Sequence, residues 1–484
     1  MTPNDKTSSP PRGRQRTKRR RARRPGQVVA VVGILGAAPL ASLWVVGHSL
    51  ATRTEGRNAE PVSYLVTPVL NVRRAATTLV GDIAARNLRV ELASIVDRLP
   101  SNGCVRVDAG GRVVMAKSAD KALVPASTMK IATAAVTLDI LPADTRFVTR
   151  IVGTVDNGIV GGDLTLVGGG DPLLVSREYL PTEKYPTTDP TYLDDLADKV
   201  KAAGVTAVSG SVVGDESYLD DDRYLDDWSS GIRGTEGGPL GALMVNDGVV
   251  VGNPIKPDNP AVAAAAEFTR LLEARGIAVG GEPKEAKGTP AGATIAEIRS
   301  SSLDKIVAEM LTNSDNNTAE ILVRHLGLAK SLRPTTAAGL AVISQALNTW
   351  GIDGVVVKDG SGLSRGNRIT CAALVELLER EPVGGQLKSG LAVAARTGTL
   401  RDVFDGTPVA GKLLGKTGTL LNVKALAGVL PVDSKDEVLF ALLLNGAGWA
   451  DQGNYRPLWE QLSTALATYP KAPTRSQVAV LGAG

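Results

Sequence analysis

Between Arg150 and about Ser300 the sequence changes texture, and that change limits the architectures open to the chain. Short Val-rich stretches such as Leu164-Thr165-Leu166-Val167 and Val205 to Val213 alternate there with Gly, Asp and Pro turns, with helical patterning near Leu193 to Ala203 and Ala261 to Arg275. The flanks read differently. Val105 to Val114 alternates about Gly110-Gly111 as a hairpin does, and Pro125 introduces a helical stretch over Thr128 to Leu141. Helical periods return at Leu303 to Leu326, Ala337 to Trp350 and Cys371 to Glu379, followed by strands at Gly411 to Thr417, Val423 to Leu430 and Glu437 to Asn445. This order predicts an α+β protein, with helices on an antiparallel sheet, built from residues 89–150 and 300–470. A large inserted domain, mixed but mainly β, is expected at 151–299. With aromatics at only 4%, its cores must be built mainly from small aliphatic side chains.

The N-terminus carries a second signal. Ten basic residues stand against the single acid Asp5 in residues 1–27, and Val28 to Val46 is apolar apart from Ser42. The basic run alone would suit nucleic acid, but its position just before an apolar stretch of membrane-spanning length argues for a cytoplasmic flank. We therefore expect a basic cytoplasmic tail at 1–27, a transmembrane anchor at 28–50 and a stalk at 51–88, with no nucleic-acid partner. The apolar stretch is longer than an ordinary signal peptide's and no convincing A-x-A site follows it, although secretion after cleavage is the alternative. Under either reading the rest of the chain is exported. Cys104 and Cys371 are then free to form a bridge, or to serve as two separate buried small residues.

The chemistry is narrowed by what the chain lacks. It has two histidines, of which His48 ends the apolar stretch and His325 lies in a helical pattern beside Leu326. A Ser-His-Asp triad is poorly supported, so a serine nucleophile here needs lysine as its base. The residues Ser127-Thr128-Met129-Lys130 offer that pair, because residues three apart at a helix start share a face. The helix N-terminus also favours a developing oxyanion. Neither C-x-x-C nor a Cys/His cluster occurs, and Asp220-Asp221-Asp222 lacks the spacing of a calcium loop, so no metal and no cofactor are expected. Gly168-Gly169-Gly170 reads as a turn rather than a nucleotide loop.

Two further motifs follow in order: Ser314-Asp315-Asn316 and Lys416-Thr417-Gly418-Thr419. Each of the three has an ordinary structural explanation by itself: a capping serine, a polar turn, a strand running into a turn. In this order they match the set found in penicillin-binding proteins and serine β-lactamases. Ser314 would relay a proton from Lys130 to the leaving amine, and Asn316 would bond the substrate amide. Lys416 would hold Lys130 closer to neutral and attract a carboxylate, which Thr417 and Thr419 would bind from one strand face. Gly418 would let substrate backbone approach, and the N–H groups of Ser127 and Thr419 would form the oxyanion pair.

With Val124-Pro125-Ala126-Ser127-Thr128-Met129-Lys130, Leu166-Val167-Gly168-Gly169-Gly170-Asp171-Pro172, Met244-Val245-Asn246-Asp247 and Asp359-Gly360-Ser361-Gly362-Leu363-Ser364-Arg365, the sequence resembles the low-molecular-mass class C penicillin-binding proteins. These are the D-alanyl-D-alanine carboxypeptidase/endopeptidase family. The resemblance covers about residues 62–470 and implies a penicillin-binding, β-lactamase-like domain whose first two motifs are separated by an extra domain. It implies hydrolysis of peptidoglycan stem peptides through an acyl-enzyme. Cross-links are cut too if the cleft admits a second stem peptide, and β-lactams act as inhibitors. Catalytic roles fall to Ser127, Lys130 and Ser314, and substrate binding to Asn316, Lys416, Thr417, Gly418 and Thr419. A β-lactamase is disfavoured because no E-x-x-L-N element lies between Ser314 and Lys416. A non-catalytic wall-binding or β-lactam-sensing scaffold would not need all the reactive residues. The expected location is the cell membrane, single-pass, with an extracytoplasmic catalytic domain, and residues 471–484 form an uninformative tail.

Overall fold

The computed structural model of the protein describes residues 77–474, apart from 254, 287, 288 and 473. The basic tail and the Val28–Val46 stretch lie outside these. Among the described residues no helix is long and apolar enough to cross a membrane. The first described element, the helix Thr77–Val96, buries Ala84, Leu88, Leu92 and Ile95. Residues 77–88, expected as stalk, are thus part of a packed helix.

The main body is a six-stranded antiparallel sheet. Its strands run in the order Ala392–Val393, Leu414–Leu420, Val423–Pro431, Glu437–Asn445, Gly103–Ala109 and Arg112–Lys117. Glu437–Asn445 reads Glu-Val-Leu-Phe-Ala-Leu-Leu-Leu-Asn and is buried from Val438 to Leu444, as a central strand covered on both faces requires. One face carries the helices Thr77–Val96 and Gln452–Leu466, where Leu88, Leu92, Trp459 and Leu462 meet Phe440 and Leu442. The other face carries Lys130–Ile140, Leu303–Thr312 and Cys371–Glu379, where Ile131, Met310 and Leu374 meet Ala441 and Leu443. Cys104 and Cys371 form a disulfide between the strand Gly103–Ala109 and the helix Cys371–Glu379, joining chain on either side of the insert.

The intervening segment builds its own core. A five-stranded sheet runs Lys284–Glu285, Val212–Asp215, Leu164–Val167, Val148–Gly153, Ala293–Arg299, with parallel and antiparallel pairs. The helices Leu193–Ala202 and Pro260–Glu273 pack on it through Leu196, Val200, Phe268 and Leu272. Gly168 and Gly169 lie so close to the backbone of Ala242 and Val148 that a side chain would collide. That run therefore serves close backbone packing. The helical pattern read as continuous over Leu303 to Leu326 is two helices, Leu303–Thr312 and Asn316–Ser331. Ser314, at φ +68°, breaks it, and Asp315 caps the second helix by accepting the Thr318 N–H.

Candidate active site

The chain enters the turn that carries Ser127 through Pro125 and forms a short 3-10 segment, Ala126–Met129, that runs into the helix Lys130–Ile140. Ala126 sits at φ +48°, a costly conformation for a residue with a side chain. It is held from two sides. Gly362 approaches the Ala126 carbonyl so closely that a Cβ there would collide, and a Cβ on Gly418 would meet the Pro125 oxygen at 2.6 Å. The space left by Gly418, expected to admit substrate, is therefore occupied by the Pro125–Ala126 turn, and Gly362 of the Asp359-Gly360-Ser361-Gly362 segment lies against the same turn.

Lys130 is fully buried, and its three N–H groups have three acceptors. Nζ lies 3.1 Å from Ser127 Oγ, 2.6 Å from Asn316 Oδ1 and 2.7 Å from the Ser361 carbonyl. When the ammonium loses a proton, its two remaining N–H groups can keep Asn316 and Ser361 while the lone pair turns to the Ser127 hydroxyl. Burial lowers the Lys130 pKa to about 8, against the opposing pull of Asp359, Glu320, Asp315 and Glu236.

Lys416 is buried as well and donates to the Thr417 carbonyl at 3.0 Å. Its pKa is pushed well down by burial, and then by the charge of Lys130. Burial is the largest influence on both lysines.

Asn316 joins Lys130 to the insert, for its Nδ2 donates to the Glu236 carbonyl at 2.7 Å. One N–H of its amide is left for a substrate. Ser314 stands beside it, but among the described residues its hydroxyl makes no hydrogen bond; the side chain that reaches Lys130 from this motif is Asn316. Thr419 is exposed, on the strand that carries Lys416 and Thr417. A cavity of about 360 Å³ opens beside Ser314 and Asn316, bounded by Tyr179, Glu183, Tyr185 and Asp247 of the insert.

Several supporting residues escaped the sequence reading. Glu320, fully buried, accepts the N–H groups of Gly360 and Ser361 at 3.2 and 2.8 Å. Asp359 accepts from Trp228 Nε1 at 2.9 Å, Gly362 N at 2.7 Å and Asn367 Nδ2 at 2.7 Å. Asp227 accepts from Ser364 Oγ at 2.6 Å, and Asp220 pairs with buried Arg324 at 3.0 Å. Asn317 takes the Gly238 N–H and donates to Asp247, both at the insert. His325 is buried and stacked on Phe147, with Nε2 2.9 Å from the Gly170 carbonyl, and burial lowers its pKa to about 4. Among the described residues no cluster of His, Cys, Asp and Glu could hold a metal.

A part-exposed serine beside a buried lysine on a helix start, against an antiparallel strand bearing lysine, glycine and threonines, defines a serine acyl-enzyme of the penicillin-binding class. The model of the D-Ala-D-Ala carboxypeptidase 3 (S13) family matches residues 97–257 and 252–466, and the chain belongs to that family. It is a serine-type D-Ala-D-Ala peptidase acting on peptidoglycan. It is 29% identical over 433 residues to the D-alanyl-D-alanine carboxypeptidase of Actinomadura sp. (strain R39), covering 71% of this chain and 78% of that one. A carboxypeptidase of Mycobacterium tuberculosis is 31% identical over 369 residues, covering 72% and 76%. Among solved structures, penicillin binding protein 4 from Haemophilus influenzae shares the fold, with TM-score 0.63 and 20% identity over 78% of this chain and 98% of that one. A peptidoglycan endopeptidase from Bdellovibrio bacteriovorus matches at TM-score 0.51 and 19% identity, covering 78% and 94%.

Proposed function

We propose that Ser127 is the nucleophile of this DD-peptidase and Lys130 its base, in an extracytoplasmic domain tethered through the apolar Val28–Val46 stretch. The observation that carries the assignment is the 3.1 Å approach of Lys130 Nζ to Ser127 Oγ in a buried site where the lysine pKa is about 8. Neutral Lys130 takes the Ser127 proton as Oγ attacks the carbonyl of the penultimate D-Ala. The tetrahedral oxyanion faces the N–H groups of Ser127 and Thr419. Collapse expels D-Ala, whose amine takes a proton through Ser314, and water then releases the acyl group. Asn316 bonds the substrate amide, and Lys416, Thr417 and Thr419 receive the terminal carboxylate. The cavity beside Ser314 gives room for a second stem peptide, which supports cleavage of cross-links as well as terminal residues. β-Lactams enter the same path and stop at the acyl-enzyme.

Intact mass of the purified full-length protein after benzylpenicillin, beside Ser127→Ala, tests the nucleophile. A stable penicilloyl adduct in the parent and none in the variant is expected. An adduct surviving in Ser127→Ala would overturn the assignment. Recovery of the protein in washed membranes, and its loss from them when residues 1–50 are removed, tests the anchor.

A further inference from the structure

Lys424 is the charged residue in an otherwise apolar strand stretch, Val423 to Leu430, and it lies directly across the antiparallel pair from Thr419. Its side chain is not spent on a carboxylate. Nζ donates to Thr419 Oγ1 at 2.8 Å and lies over the rings of Tyr455, at 4.0 Å from the centroid, and Trp459, at 5.0 Å. The residue is only 8% exposed. Burial, followed by the nearby Arg456 guanidinium, lowers its pKa to about 8.

Aromatic faces hold an ammonium in place without neutralising it. A threonine hydroxyl has one proton and two lone pairs. With the ammonium donating to one lone pair, the Thr419 proton has to point away from Nζ. Because Thr419 is exposed on the strand that carries Lys416, that proton is free to donate to a bound anion.

We propose that Lys424 is a positioning residue for substrate recognition, orienting the Thr419 hydroxyl toward the terminal carboxylate of the substrate and placing a second cation one hydroxyl behind it. The inference rests on the reading that the Lys416–Thr419 strand receives that carboxylate. The site then recognises a free carboxylate with two lysines on neighbouring strands. Lys416 acts from the substrate strand itself, and Lys424 acts through Thr419.

Steady-state kinetics of the full-length protein on a peptide ending in D-Ala-D-Ala, with a free carboxylate or a C-terminal amide, tests this. Lys424→Met should raise KM for the carboxylate peptide at least fivefold at pH 7, with kcat within twofold, and leave the amide peptide's parameters in place. Lys424→Arg, which keeps charge and aromatic contact, should stay within twofold of the parent on both. Equal losses on both peptides, or no loss on either, would overturn the proposal. If the parent protein itself does not distinguish carboxylate from amide, the carboxylate reading of the strand fails instead. A Lys424→Met protein that does not fold leaves the decision to Thr419→Val. That variant should reproduce the carboxylate-specific rise in KM, and its failure to do so would also overturn the proposal.

Discussion

The floor of the site and the strand Leu414–Leu420 each bury a lysine completely, and they surround it differently. Lys130, on the floor, has Ser127, Asn316 and Ser361 around its nitrogen, and four carboxylates oppose the effect of burial, leaving its pKa at about 8. Lys416, on the strand, has one backbone carbonyl and a neighbouring ammonium, and its pKa is pushed well down, first by burial. One lysine is poised near neutrality by its own protein. The other is short of counter-charge, and an incoming carboxylate can supply it. We propose that the difference separates chemistry, at Lys130, from binding, at Lys416.

The harshest way to break this division is Lys130→Met. Removal of a general base costs roughly 10²–10⁴ in rate, so the second-order rate of penicilloylation should fall about 10³-fold, read by stopped-flow or by timed mass spectra. If the rate stays within tenfold, the floor lysine is not the base. Lys416→Met should act mainly on binding. Loss of a charge-assisted hydrogen bond is worth about 1.5–3 kcal/mol, so kcat/KM for a D-Ala-D-Ala peptide should drop roughly 10- to 100-fold, chiefly through KM. A drop confined to kcat would mean that both lysines serve the chemistry.

How far this division was legible beforehand depends on where each part of it lies in the chain. Ser127 and Lys130 are three residues apart at a helix start, and their proximity follows from helix geometry alone. The three-motif order also brought Asn316 and Lys416 into view. The supports did not show, because they depend on contacts between segments distant in sequence. Trp228 reaches Asp359 across 131 positions, and nothing in Asp226-Asp227-Trp228 announces it. Gly418 reads as a substrate-facing glycine, whereas it and Gly362 are both fixed by the close approach of the Pro125–Ala126 turn. Lys424 was a lone charge in an apolar strand; only the register that sets it opposite Thr419 gives it a meaning. The helix break at Ser314 did leave a signal, since Asp315 stands three residues before Thr318 as a capping residue does. The longer hydrophobic period from Leu303 to Leu326 masked it.

The smallest effect falls on the floor's electrostatics and comes from Glu320→Gln. Glu320 holds the backbone of Gly360 and Ser361 from below, and its charge is one of those that raise the Lys130 pKa. Its own pKa is raised by burial and by Asp359, so it carries its charge most fully on the alkaline side of neutrality. With Lys130 proposed as the base, acylation needs it neutral, and the rate is expected to climb as pH rises through about 8. Without the Glu320 charge the ammonium is less favoured, and the midpoint of that climb should move to lower pH. Gln can still accept one of the two backbone N–H bonds, so the plateau should fall by no more than about threefold, the equivalent of a single weak hydrogen bond. A pH profile of penicilloylation from pH 6 to 10 separates the outcomes. A midpoint that stays in place while the plateau drops would make Glu320 a clamp for the Ser361 loop alone, and the contrast between the two lysines would then rest on Asp359, Asp315 and Glu236.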